Sequence, residues 1–249
     1  MDPLTVPIQT VLVYSGLAAA MAALGALPFA FRKEVPLAWL GLAYALASGL
    51  MLGASYLLIS QGLADHPLQG VAGAGLGVAY TYWIQSYART RGVDPIPDSS
   101  LQHGSEEGFR VILQNALHSA SEGVAIGVAM TLNLRLGIFV AMALAVHNVS
   151  EAMVLTALLR QRGMSVAESA GLCLATNSSQ VLLAISIFAL SPLLGESLPI
   201  ALGFASGTLL FLVMTELLPA SYRRASKPAI ALLVSLSAGA VVLLEDFFV

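Results

Sequence analysis

The sequence is short of what a water-soluble protein is made from. Charged residues fill 10% of its 249 positions, where a soluble domain carries about 25%. That is too little polar surface for a solvated globule. Basic residues are scarcer still: eleven Lys and Arg stand against fourteen Asp and Glu, for a formal net charge of −3. This excludes the basic face that nucleic-acid binding needs. Cys173 is alone, so an internal disulfide is impossible and the redox compartment is unreadable. What the chain has instead is 57% apolar residues and a mean hydropathy of +0.83, in runs that repeat from Val6 almost to Val249. A helical membrane span takes about 20 mostly apolar residues. The expected fold is therefore all-α, a polytopic membrane protein forming one transmembrane domain over residues 1–249.

Cutting the chain where charge, proline and turn residues gather leaves eight segments: 6–31, 36–61, 67–88, 107–131, 133–159, 165–191, 196–219 and 227–246. The least marked boundaries are Asn133 with Arg135, and Pro192 with Gly195 and Glu196. Arg32, Lys33, Arg89, Arg91, Arg110, Arg160, Arg162, Arg223, Arg224 and Lys227 all fall on one side of such a bundle, with Arg135 alone opposite. The positive-inside rule then puts both termini outside. Because the first basic residues follow the first apolar run rather than precede it, that run is expected to be a retained helix, not a cleaved leader. The longest connection, a cytoplasmic loop over 89–106, holds Asp94, Pro95, Pro97 and His103 and reads as a polar linker. Trp39, Tyr80, Tyr82, Trp83 and Tyr87 suit an interfacial belt.

Two weak internal repeats are visible. Ala47-Ser48-Gly49 and Ala205-Ser206-Gly207 lie in the second and seventh segments, which run in opposite directions, as inverted repeats do; small residues also simply let helices approach. The second repeat carries chemistry. His118-Ser119-Ala120-Ser121-Glu122 and His147-Asn148-Val149-Ser150-Glu151 place His-x-x-x-Glu in the fourth and fifth segments. A charge at the centre of a membrane helix costs about 2.5–3.5 kcal/mol on insertion scales, so two glutamates call for compensation. Residues i and i+4 share a helix face, so each segment presents one imidazole and one carboxylate together. Two such helices in contact close two nitrogens and two carboxylates around one divalent ion. That donor set suits zinc or ferrous iron better than magnesium or calcium, and metal competes with protons there. The alternative is a buried His–Glu pair along each helix.

Other intramembrane polar residues are candidates for a pathway or for helix-to-helix hydrogen bonds: Asn115, and the run Thr176-Asn177-Ser178-Ser179-Gln180, expected to face the bundle interior; for Glu216, near the inner end of its segment, an interfacial role and a pathway role compete evenly. Cys173 and Met153 read as core.

At these residues the chain resembles the ZIP (Zrt/Irt-like) family of divalent-metal transporters. His118 to Gly123 resembles that family's fourth-helix motif, His-Asn-x-Pro-Glu-Gly, and His147 to Ala152 its fifth; Ala45 to Ser55 and Gly203 to Pro219 resemble its second and seventh helices. The resemblance implies eight spans with inverted repeats, a first metal site made by His118, Glu122, His147 and Glu151, and a moving unit of spans one, four, five and six. It also implies a second site at the positions of Ser119, Asn148 and Gln180, which are neutral here, so a second stably held metal is not expected. Both motif prolines are replaced, by Ser121 and Ser150, whose hydroxyls can bond backbone carbonyls.

The function expected is import of a divalent transition metal into the cytoplasm, zinc first, then iron or manganese, with no prosthetic group and no enzyme activity. Its partners are the metal ion and membrane lipids, with a homodimer one open arrangement, in the inner membrane of a bacterium or archaeon. The rivals are an intramembrane zinc hydrolase, which needs a spare base, and a transport-dead metal sensor.

Overall fold

A computed structural model describes residues 8–32, 35–64, 66–90 and 105–248. Eight helical spans follow one another, with no strand among the described residues: α1 (Ile8–Phe31), α2 (Leu37–Ala64), α3 (Pro67–Thr90), α4 (Ser105–Leu132), α5 (Leu134–Gln161), α6 (Val166–Ala189), α7 (Gly195–Tyr222) and α8 (Lys227–Phe248). Six of them, all but α3 and α4, are long and apolar enough to cross a membrane. The other two are as long, 24 and 28 residues, but more polar. Most of the expected 89–106 loop, with His103, lies outside the described residues, as do Lys33, Asp65 and Arg91.

The helix ends have local causes. Asn133 caps α5 by accepting from the Arg135 backbone N–H at 2.8 Å, which is why a single residue suffices between α4 and α5. Ser165 and Glu168 form a reciprocal capping box at the start of α6, after Gly163 has taken the positive φ of 84° that closes α5. Two spans are irregular inside. In α1 the chain tightens to a 3-10 helix over Ala22–Ala26 before Pro28 restarts it. In α7 a π turn covers Val213–Leu217, with the Leu218 N–H reaching back to the Val213 carbonyl. Pro219, without an N–H, cannot restore the regular ladder there.

The helices pack as two groups. In one, α4 lies on α6, α1 on both α5 and α6, and α5 on α4; in the other, α3 lies on α7 and α2 on both α7 and α8. The groups meet where α2 touches α5 and where α4 touches α7. Exchanging one with six, two with seven, three with eight and four with five reproduces this set of neighbours, and each exchanged pair runs in opposite directions. The packing therefore has the form of an inverted repeat. Small residues make the close seams: a Cβ on Gly207 would strike the Ala74 carbonyl across α3 and α7, one on Gly49 would strike Ser237 and the Val234 carbonyl across α2 and α8, and one on Gly123 the Gln180 carbonyl across α4 and α6. Ser55 and Ser206 exchange hydrogen bonds where α2 meets α7, each hydroxyl donating to the other's carbonyl at 3.0 and 2.9 Å. The core around Met51, Leu57, Ile126, Leu144 and Leu209 is fully buried.

One expectation needs correction. Ser178 faces outward, with its hydroxyl donating to the Ala175 carbonyl of its own helix, because it lies about 100° round the helix from Asn177, off the buried stripe of Cys173, Asn177 and Gln180. Of the two roles open to Glu216, its 8% exposure within the π turn over Val213–Leu217 favours the one inside the bundle.

Candidate metal centre

The helix period sets the first step of this site: on α4, His118 and Glu122 lie one turn apart, and on α5 His147 and Glu151 do the same. Because α4 and α5 pack together, the four side chains converge, with one donor atom from each within 4.8 Å of every other. The closest approach crosses between helices, His147 Nε2 to Glu122 Oε1 at 2.7 Å. Within each helix the His–Glu distance is 3.7 Å, and His118 Nε2 is also 3.7 Å from Glu151 Oε1. The two imidazoles stack at 5.7 Å between centroids and 12° between planes. This is one shared cluster rather than two separate helical pairs.

Its burial gives the cluster chemical meaning. Glu122 and His147 have no exposed surface and His118 is 4% exposed. His118 Nε2, Glu122 Oε2 and His147 Nδ1 find no hydrogen-bond partner among the described residues. Buried polar atoms left this way cost about 1–3 kcal/mol each, a cost that a bound cation would offset. Two nitrogens and two carboxylates match a tetrahedral divalent ion in both charge and donor type.

The neutral candidates lie alongside and are tied to neighbouring helices. The Asn148 amide donates to Gln180 Oε1 at 2.8 Å and to the Ala18 carbonyl at 2.9 Å. Ser119 donates to Asn177 Oδ1 at 3.3 Å, Asn177 donates to the Cys173 carbonyl, and Asn115 donates to Thr176 Oγ1 at 2.9 Å. These bonds lock α4, α5 and α6 together and carry α1 with them. Ser121 and Ser150 reach the carbonyls one turn back, Leu117 and Val146, at 3.3 and 3.4 Å, and α4 and α5 run through their motifs without interruption.

Glu216 comes to the cluster from the opposite group of helices. Its Oε2 lies 3.8 Å from His118 Nδ1, on the far side of the ring from the four-donor cluster. Its Oε1 accepts from the Gln85 amide, whose nitrogen also reaches Thr215 Oγ1 at 3.3 Å. Both flank a cavity of about 110 Å³ bounded by α3, α4, α6 and α7, with Thr81, Leu117 and Leu212 on its walls. Gln85 is a residue that sequence reading passed over; the signal available was a glutamine amid the apolar and aromatic run of the third segment.

Residues 97–244 match the family model described as ZIP Zinc transporter. An Arabidopsis thaliana protein named "Putative zinc transporter" is 28% identical over 253 residues, an alignment taking in 98% of this chain and 39% of that relative. The chain thus spans about two fifths of the length of the curated relative it matches.

Proposed function

The chain belongs to the ZIP zinc transporter family, a multi-pass membrane family of transporters and not enzymes, and on that premise we propose that it admits divalent transition metal to the cytoplasm through the α4–α5 cluster. Zinc is the first expected substrate, iron or manganese the next. The observation that carries this reading is the buried, inter-helical set of His118, Glu122, His147 and Glu151, in which His118 Nε2, Glu122 Oε2 and His147 Nδ1 find no hydrogen-bond partner among the described residues. One ion occupies it at a time, because the adjoining Ser119, Asn148 and Gln180 add no charge to hold a second.

The two packed groups suggest how the ion moves. With α1, α4, α5 and α6 shifting as a unit against α2, α3, α7 and α8, the cluster faces each side of the membrane in turn. The one-sided distribution of basic residues supports an orientation with both termini outside, in which the inner ends of α3 and α7, where Gln85 and Glu216 stand, lie toward the cytoplasm. Asn115 and Asn177 brace the moving unit, and Glu216 lines the way out. All four ligands come from one chain, so a homodimer would pair two complete pathways within the surrounding lipid. The short connections suit a bacterial or archaeal cell membrane.

The test is zinc influx into proteoliposomes holding a zinc-sensitive dye, the unchanged protein against His118→Ala at equal reconstitution. Influx that the substitution removes supports the reading. No influx under any imposed pH gradient or voltage overturns it and favours a metal sensor built on a transporter-like bundle.

A further inference from the structure

A second crevice reaches the helices of the cluster, and no charged side chain lines it. It lies between α1 and α5 of one packed group and α2 and α8 of the other and encloses about 350 Å³, inside the roughly 300–1,000 Å³ of pockets that take small organic molecules. Its walls include Leu24, Leu42, Leu46, Met153 and Leu233, and its hydroxyl, on Ser150, donates to the Val146 carbonyl. The α1 wall is the irregular stretch, with Gly25 in the 3-10 turn and Pro28 where the helix restarts. Along α2 the crevice runs from Trp39 to Leu46, about 10 Å at the helical rise. One end is different. Trp39 stands there half exposed, and the Arg32 guanidinium lies 5.4 Å from the centre of its ring, a cation held over an aromatic face. Arg32 and Lys227, the first residue of α8, are both exposed at this end of the bundle.

An apolar slot with a cation at its mouth matches the two halves of a lipid, hydrocarbon within and anion at the membrane surface. Tryptophan marks the depth at which headgroups begin. A peptide would need backbone partners that these walls do not offer, and a metal ion would need ligands. We propose that the crevice seats one acyl chain of an acidic phospholipid, with the phosphate at Arg32. A guanidinium engages phosphate oxygens through its forked N–H groups, and in a zwitterionic headgroup the lipid's own ammonium competes for them. Since the walls come from both packed groups, the chain lies across their boundary. This inference needs the bundle to sit in a bilayer and is independent of what crosses it.

The experiment uses the chain's own fluorophores, since its two tryptophans are Trp39 and Trp83. The full chain carrying Trp83→Phe, with Trp39 as the lone reporter, is placed in phosphatidylcholine vesicles. Phosphatidylglycerol or phosphatidylcholine with bromine on the acyl chain is then titrated in, and quenching is read. Half-quenching is expected at about a fivefold lower mole fraction of the acidic lipid, the worth of one basic residue at an acidic membrane surface. Adding Arg32→Gln brings the two lipids within about twofold of each other. Trp83, read alone in Trp39→Phe, is exposed near the same end of the bundle and lies outside the crevice; both lipids should quench it within about twofold. Equal quenching of Trp39 by the two lipids overturns the proposal. So does an equal preference at Trp83, which would make the effect one of the whole basic face and not of a site. The contrast between the two tryptophans leaves Arg32 in place, so it decides the matter even where Arg32→Gln does not insert.

Discussion

Two crevices lie against the helices that carry the His–Glu cluster, one on α4 and one on α5, and the inverted repeat makes them counterparts. One is walled by α3, α4, α6 and α7, the other by α8, α5, α1 and α2, the same set after exchange. Ser121 lines the first and Ser150 the second, each three residues after its histidine. The first holds His118, Gln85, Thr81 and Glu216. The second is lined by Leu24, Leu42, Leu46, Met153 and Leu233, with Trp39 at its edge, and Ser150 is its single hydroxyl. The repeat has therefore kept the shape twice and the chemistry once. On the transport reading proposed above, a symmetric pair of polar clefts would offer an ion two equivalent exits, whereas the polar crevice is the one of these two that offers it ligating groups.

The sharpest way to break this comparison is to remove what both crevices share. Glu122→Gln takes a ligand from the centre of the cluster, and zinc influx into dye-loaded proteoliposomes is expected to fall at least about thirtyfold; retention of half the rate would end the assignment of Glu122 as a ligand. Next comes the contrast itself. Glu216→Gln, in the polar crevice, is expected to lower the maximal zinc rate about tenfold with half-saturation within about twofold, while Leu46→Gln, in the apolar crevice, changes the rate by less than about twofold. Equal effects of the two would mean that both crevices carry the ion. The shared shape is tested by Gly207→Ala and Gly49→Ala, which crowd equivalent seams, α3 on α7 and α2 on α8. Each should lower the thermal unfolding midpoint in detergent by about 5 °C, against no loss for Gly16→Ala, where a Cβ meets nothing within 4 Å. The smallest effect belongs to the two serines: their carbonyl bonds are long, so Ser121→Ala and Ser150→Ala should each leave the zinc rate within about twofold.

How far the sequence carried the reader differs between these parts. Helix positions and the His118, Glu122, His147, Glu151 grouping were legible because each rests on local spacing: charge and proline mark where apolar runs stop, and an i to i+4 interval puts two side chains on one face. The family resemblance pointed to the same four residues. The Gln85–Glu216 contact was not legible, since its members are 131 residues apart and a helical period tells which way a residue faces on its own helix, not which helix it meets. The sequence leaves Glu216 evenly between the interface and the pathway, because its place near Pro219 fixes its depth only coarsely; the π turn that contains it is one extra residue in a turn, with no composition of its own. Ser178 was grouped with its polar neighbours by adjacency, though adjacent residues on a helix point about 100° apart. The 3-10 stretch of α1, built from alanine, leucine and glycine, likewise has the composition of any span.

Cys173 is fully buried, its thiol held between Thr156 Oγ1 at 3.6 Å and the Ala152 carbonyl at 3.7 Å. The wild-type chain is in effect blank to water-soluble maleimides, without any substitution having been made to achieve this. A single cysteine introduced at Thr81 or at Ser150 becomes the sole reactive thiol, and its alkylation rate, followed with and without zinc, reports when each crevice is wet. The two walls of the molecule can thus be timed separately in the native background.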